Sequence, residues 1–146
     1  MQQLNFDEGM IELAIQGDEG RVLRFIPSDS KISNGFLNLI QAVKEKLNEF
    51  ATKENEILNL NLSDLEKAKK MTELSMEIDL FFRGELDSIF GNGTSNLVFG
   101  DVCTSAITKN GQCIFINFIY ALLPIFEKEI KVRNEKISQI IKENRP

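Results

Sequence analysis

The chain has 146 residues, enough for one domain with a real core. Apolar residues make up 42% and charged residues 27%, as in an ordinary soluble globular protein, and a net charge of −5 argues against nucleic-acid binding by bulk electrostatics. Histidine is absent, which removes imidazole acid–base chemistry, histidine metal ligation and every Ser–His or Cys–His pair.

The charge is uneven. Residues 1–29 carry six acids against Arg21 and Arg24, and residues 127–146 carry six Lys/Arg against four Glu. That tail is too mildly basic to argue for nucleic acid or anionic lipid and reads as a solvated helix face. The start, MQQLNFDEG, has neither a basic segment nor an apolar one, so no secretory signal is expected. No apolar run approaches the ~20 residues of a membrane helix. The expected setting is the cytoplasm.

Residues 10–16 alternate: Ile11, Leu13 and Ile15 share one face, and Glu12, Ala14 and Gln16 the other. This is the period of a strand with one buried side. Gly17-Asp18-Glu19-Gly20 supplies a turn, and RVLRFI (21–26) the return strand, with Leu23 and Phe25 on the core face. Pro27-Ser28-Asp29-Ser30 ends it. An isolated two-stranded hairpin is marginal in water, so it must pack on helices or pair with another edge.

From Ser33 to Leu58 the pattern turns helical, with Phe36, Ile40, Val43, Leu47 and Phe50 on one stripe. Ser63-Asp64-Leu65-Glu66 reads as a capping box opening a second helix that runs to Phe90. Its stripe is Met71, Leu74, Ile78, Phe81 or Phe82, Leu86 and Ile89. Two long amphipathic helices joined by a short polar link predict an antiparallel helical hairpin. Phe81 and Phe82 point about a hundred degrees apart on a helix, so a single core has difficulty covering both.

A helix stop follows at Gly91-Asn92-Gly93, because glycine accepts the left-handed conformation that other residues resist. Thr94 or Ser95 is placed to cap a new turn, and Leu97-Val98-Phe99 adds a short apolar step closed by Gly100-Asp101. Residues 102–113 read either as a short strand pair turning at Asn110-Gly111 or as a loop. From Ile114 the helical pattern resumes through Ile119, Leu123, Phe126, Ile130, Ile137 and Ile140, with Arg133 in one core slot. Pro124 lies inside this run and cannot donate to the Tyr120 carbonyl, so a kink or break is expected there. Past Glu127 the apolar stripe is narrow, nearer a coiled-coil seam than a broad core face.

Several constellations invite chemistry and read more simply as structure. Glu73, Glu77, Asp79, Glu85 and Asp87 make the second helix acidic, yet no histidine completes a metal site, so they read as a solvated face. The glycines at 91, 93 and 100 lack the lysine and the preceding strand of a phosphate loop. Asn92-Gly93-Thr94 is formally a glycosylation sequon, irrelevant in a cytoplasmic chain. Cys103 and Cys113 flank the Asn110-Gly111 turn and are expected as free thiols in a reducing compartment. Eleven phenylalanines against one tyrosine supply the core, with some left to line a partner groove.

The IFGNGTSNLVFGD corner resembles a pattern of small tail-assembly-chaperone-like proteins of siphophages and prophages of Gram-positive bacteria. The surroundings are similar in order: an acidic strand pair including RVLRFIPSDS, a Lys/Glu-rich helical middle, then an apolar segment (Phe115, Phe118, Leu122, Leu123, Pro124) leading into a charged helical tail. The resemblance covers most of the chain; residues 102–113, VCTSAITKNGQC, match nothing in it. It implies a role in phage tail morphogenesis in the host bacterial cytoplasm, with the tape-measure protein and/or the major tail (tail-tube) protein as partner. It brings no catalytic residues.

The resulting expectation is an α+β protein, mostly α, with an N-terminal β-hairpin packed on a bundle of three long helices. One domain spans 1–146: hairpin 1–29, helical hairpin 33–90, corner and loop or short strands 91–113, and C-terminal helix 114–146. The expected function is a non-enzymatic tail assembly chaperone with no cofactor, no metal, no nucleic-acid and no membrane partner; a homo-oligomer is allowed. Partner-binding candidates are Phe81, Phe82, Phe99, Phe118, Leu122, Phe126, Ile130, Ile137 and Ile141. The alternatives are a phage-encoded interaction or inhibitor protein acting on a host factor, and a minor structural tail component. An enzyme working through carboxylates alone has no cluster to support it.

Overall fold

The elements follow in the order β1 (Ile11–Ala14), β2 (Val22–Phe25), α1 (Ser30–Leu58), α2 (Asp64–Phe90), α3 (Thr94–Phe99) and α4 (Ile114–Glu143). A 3₁₀ turn at Ile15–Gly17 links the strands. This computed structural model describes residues 1–143. The last three positions of the expected C-terminal helix, 144–146, lie outside the described residues. The class is the expected one: α+β, mostly α, a hairpin on three long helices.

β1 and β2 pair antiparallel with Ile11 opposite Phe25 and Leu13 opposite Leu23. The alternation therefore places the apolar set on one face, where Leu23 and Phe25 are buried. The strand stops two residues short of the sequence pattern. Gln16 (φ 55°) and Gly17 (φ 76°) are both left-handed and reverse the chain early. The Ile15 N–H still donates to the Arg21 carbonyl at 2.8 Å, and Ile15 stays half-buried on the core.

Helix α1 begins three residues before the predicted Ser33. The Asp29 side chain accepts from the Lys31 N–H at 2.9 Å, and its carbonyl accepts from the Ser33 N–H. Asp29 is thus the N-cap, and Ser33 donates its hydroxyl to the Pro27 carbonyl at 3.0 Å. The buried stripe is Phe36, Leu39 and Val43; Ile40, Leu47 and Phe50 sit half-buried at its edge. Gly35 lies where α1 crosses α2. A Cβ there would come within 3.0 Å of Ile89 Cγ2, so the missing side chain permits the close approach.

The α1–α2 link is held by two caps. Lys67 Nζ donates to the Leu58 carbonyl at 2.9 Å, and Ser63 Oγ accepts from the Glu66 N–H at 3.2 Å. On α2 the buried residues are Leu74, Ile78, Phe82 and Leu86, spaced by four. Past Gly91 the chain turns through Gly93 (φ 88°) into the short α3. Residues 102–113 form a loop with one isolated bridge, Ile107 opposite Cys113, and not a strand pair.

Helix α4 continues through Pro124 without a break. Its buried anchors lie on both sides of the proline: Phe115, Ile119 and Leu122 before it, Phe126 after it. Each buries about 1.5–3 kcal/mol of side chain. Together they outweigh the ~3 kcal/mol that an internal proline costs.

The phenylalanines form two lines through the core. Phe90, Phe25, Phe126 and Phe36 join α2, β2, α4 and α1 at centroid separations of 5.2, 5.6 and 4.3 Å. Phe82, Phe115, Phe99 and Phe118 join α2, α4 and α3 at 4.5, 5.8 and 5.2 Å. These contacts orient the bundle. The hairpin sits where α1 begins and α2 ends, and α4 runs alongside α2 in the same direction. The tip of the helical hairpin and the end of α4 therefore project from opposite ends. No residue from 51 to 70 is buried, and none of the described residues after Phe126 is buried.

Candidate functional site

Four α2 side chains spaced by four residues, Ser75, Asp79, Arg83 and Asp87, lie on one flank of the helix. Each engages the segment 95–105. Asp87 accepts from the Ser95 N–H at 2.7 Å and from the Ser95 hydroxyl at 3.1 Å. Arg83 donates to Asn96 Oδ1 at 3.1 Å, to the Gly100 carbonyl at 2.8 Å and to the Val102 carbonyl. Its guanidinium also lies over Phe99. Asp79 pairs with Arg83 at 3.1 Å and accepts both the N–H (2.7 Å) and the hydroxyl (2.6 Å) of Thr104. Ser75 and Ser105 share a hydroxyl–hydroxyl bond, and Ser105 Oγ also donates to the Ser75 carbonyl at 2.8 Å.

This ladder anchors the corner, and the sequence reading missed it. The expected cap from Thr94 or Ser95 is not made. Ser95 is instead the donor, and the acceptor is Asp87 on the preceding helix. Asp79 and Asp87 are therefore not members of a solvated acidic face. Partial burial is the largest single influence on Asp79 and acts to raise its pKa. The Thr104 hydroxyl and N–H, with the Arg83 guanidinium, outweigh it and hold the carboxyl below its ordinary value. The hairpin is tied to the same corner by Arg21, whose guanidinium donates to the Leu97 carbonyl at 3.1 Å and to the Val98 carbonyl. A cation there also suits the negative end of α3.

Cys103 and Cys113 are free thiols, half-buried and buried. Cys103 Sγ lies 3.0 Å from Ser105 Oγ within the ladder. Among the described residues no three acids or thiols converge as a cation site would need.

The expected partner-binding residues divide sharply. Phe82 (0% exposed), Leu122 and Phe126 are core residues of this chain and present nothing to a partner. Phe81, Phe99 and Phe118 are half-buried against the core, and Lys46 Nζ covers the Phe81 ring at 4.9 Å. The two-phenylalanine conflict is thus resolved by burying Phe82 and shielding Phe81 with a lysine stem. Ile130 (37%), Ile137 (49%) and Ile141 (53%) are exposed. The structure brings these together on the end of α4 and does not bring them to the phenylalanines.

A shallow depression of ≈ 650 Å³ runs along this end of α4, lined by Glu127, Ile130, Lys131, Asn134, Glu135, Ser138, Gln139 and Lys142. All eight belong to one helix, so it is a helix flank open to an incoming surface and not an enclosed ligand cavity. A second depression between α1 and α2, ≈ 10 Å³, is barely the size of one water. No described helix is long and apolar enough to cross a membrane. No family model, curated protein or solved structure matches this chain.

Proposed function

We propose that the chain is a non-enzymatic binding protein whose docking element is the exposed end of α4. In this reading it acts in the host bacterial cytoplasm as a tail assembly chaperone. It holds tape-measure or major tail protein until the tail polymerises. The observation that carries the reading is the asymmetry of α4. Its first half is locked into the core by Phe115, Ile119, Leu122 and Phe126, while its second half carries Ile130, Ile137 and Ile141 in the open. A helix that spends isoleucines on solvent while rigidly anchored at its base is suited to receive an apolar helical segment. The resemblance of the IFGNGTSNLVFGD corner to tail-assembly-chaperone-like proteins supplies the partner class.

The test is co-expression with the tape-measure and major tail proteins of the same genome, followed by size-exclusion chromatography with light scattering. A stable mixed complex is expected, and Ile137→Glu with Ile141→Glu should abolish it without unfolding the chain. Absence of a complex and of any gain in partner solubility would sink the proposal.

A further inference from the structure

The chain contains three Asn-Gly pairs, at 34–35, 92–93 and 110–111. Asn-Gly is the dipeptide most open to attack of the following backbone nitrogen on the asparagine carboxamide, because glycine puts no side chain in the way. Two conditions decide whether that attack proceeds. The glycine N–H must be free of a hydrogen bond, and the carboxamide must be free to rotate onto it.

The three sites differ on both counts. Asn34 and Gly35 lie inside α1, where the helix repeat commits the Gly35 N–H to the carbonyl four residues back. At the second turn, Gly111 N–H donates to the Thr108 carbonyl at 3.0 Å. The Asn110 carboxamide is also fixed. Its Oδ1 accepts from the Thr108 hydroxyl at 2.7 Å and the Gln112 N–H at 3.0 Å, and its Nδ2 donates to Asn117 at 2.9 Å. At the corner, neither the Asn92 carboxamide nor the Gly93 N–H makes a hydrogen bond among the described residues, and Gly91, Asn92 and Gly93 are all exposed.

We infer that Asn92 is a site of spontaneous modification that converts to aspartate and isoaspartate, while Asn34 and Asn110 are protected by the fold. The Gly93 nitrogen bonds to the Asn92 carboxamide carbon. The bond from that carbon to the amide nitrogen breaks, and ammonia leaves carrying the Gly93 proton. The resulting five-membered imide then takes up water at either carbonyl. One opening gives aspartate and the other isoaspartate. One water is consumed, one ammonia is released, and nothing is oxidised or reduced.

Either product places a new carboxylate in the connection between the Asp87 end of α2 and α3. Isoaspartate also lengthens the main chain by one carbon between two left-handed glycines. The corner that Asp87 and Arg83 hold is therefore the part of the molecule that ages first. The inference is independent of the binding role.

The experiment incubates the purified full chain at physiological temperature and mildly alkaline pH. Peptide mass mapping and isoaspartate-specific methylation follow conversion with time. The Asn92 peptide is expected to convert first. It should outpace Asn110 by about tenfold or more, since Asn110 must first give up several hydrogen bonds. Asn34 should stay unchanged. Asn92→Gln should remove the fast conversion. Conversion of Asn110 or Asn34 at a rate equal to that of Asn92 in the unmodified sequence overturns the inference, as does an inert Asn92.

Discussion

Asp79 shows how one residue changes meaning between sequence and structure. In the sequence it is one of seven acids on a charged helix. In the structure its carboxylate satisfies both the N–H and the hydroxyl of Thr104, a residue with no exposed surface. Asp79→Ala leaves those two donors and the Arg83 charge without their partner, so a loss of about 2–4 kcal/mol is expected. The pH dependence has a definite sign. A carboxyl whose folded-state pKa is depressed contributes its stability in full above its unfolded value of about 4 and loses it as pH falls through the folded value. Glu49 is also lowered, chiefly by its hydrogen bond to Lys53, but it is solvent-exposed and screened. Urea midpoints measured from neutral pH down to about pH 3 should fall more steeply in the natural sequence than in Asp79→Asn. Parallel curves would remove Asp79 from this role. The spacing of Ser75, Asp79, Arg83 and Asp87 was present in the sequence as a four-residue polar repeat beside the apolar stripe. Its partners were not, because half of them are backbone groups of the later segment 95–105, which carry no sequence signal, and the rest are small polar side chains with no repeat of their own.

At the scale of elements, periodicity was enough to find β1, β2, α1, α2 and α4. The apolar face had to follow the secondary-structure repeat, whatever its neighbours were. Errors arose where a single local device overrode the pattern. The left-handed Gln16 shortened β1, and Asp29 started α1 ahead of Ser33. Pro124 is the largest such case: of the kink or break that the proline rule allowed, the break does not occur, and α4 continues because its anchors straddle the site. The proline's cost is then still present in the folded helix. Pro124 is exposed, so Pro124→Ala introduces no clash and restores the donor to the Tyr120 carbonyl. Part of the gain is offset by the looser unfolded chain. A net stabilisation of about 1–2 kcal/mol is expected, read as a higher denaturant midpoint. No change or a loss would mean that α4 had adapted to the proline through contacts elsewhere.

Across the whole molecule, stability and the proposed binding role occupy different ends. The two phenylalanine lines, the hairpin and the α2 ladder form one connected body that reaches Phe126 on α4. Beyond it Arg133 makes a further tie, donating to the Ser28 carbonyl at 2.6 Å. The arginine that interrupts the apolar stripe thus steers the helix as it leaves the body. Of the predicted partner face, Phe82, Leu122 and Phe126 are buried in the core. Composition shows that a residue is apolar, but the choice between core and surface depends on which elements converge, as at Phe126, which stacks on Phe25 of β2 and Phe36 of α1. This division makes the two roles separable by truncation. A chain ending after Asn134 keeps every buried residue of the described structure and the Arg133 tie. Its unfolding free energy should therefore stay within about 0.5 kcal/mol of the full chain. The same truncation removes Ile137 and Ile141 and should eliminate the complex with the tape-measure or major tail protein. If the truncated chain unfolds, the end of α4 is part of the fold. If it stays folded and still binds, the docking surface lies elsewhere, and the exposed leucines at the tip of the helical hairpin, Leu58, Leu60 and Leu65, become the next surface to substitute.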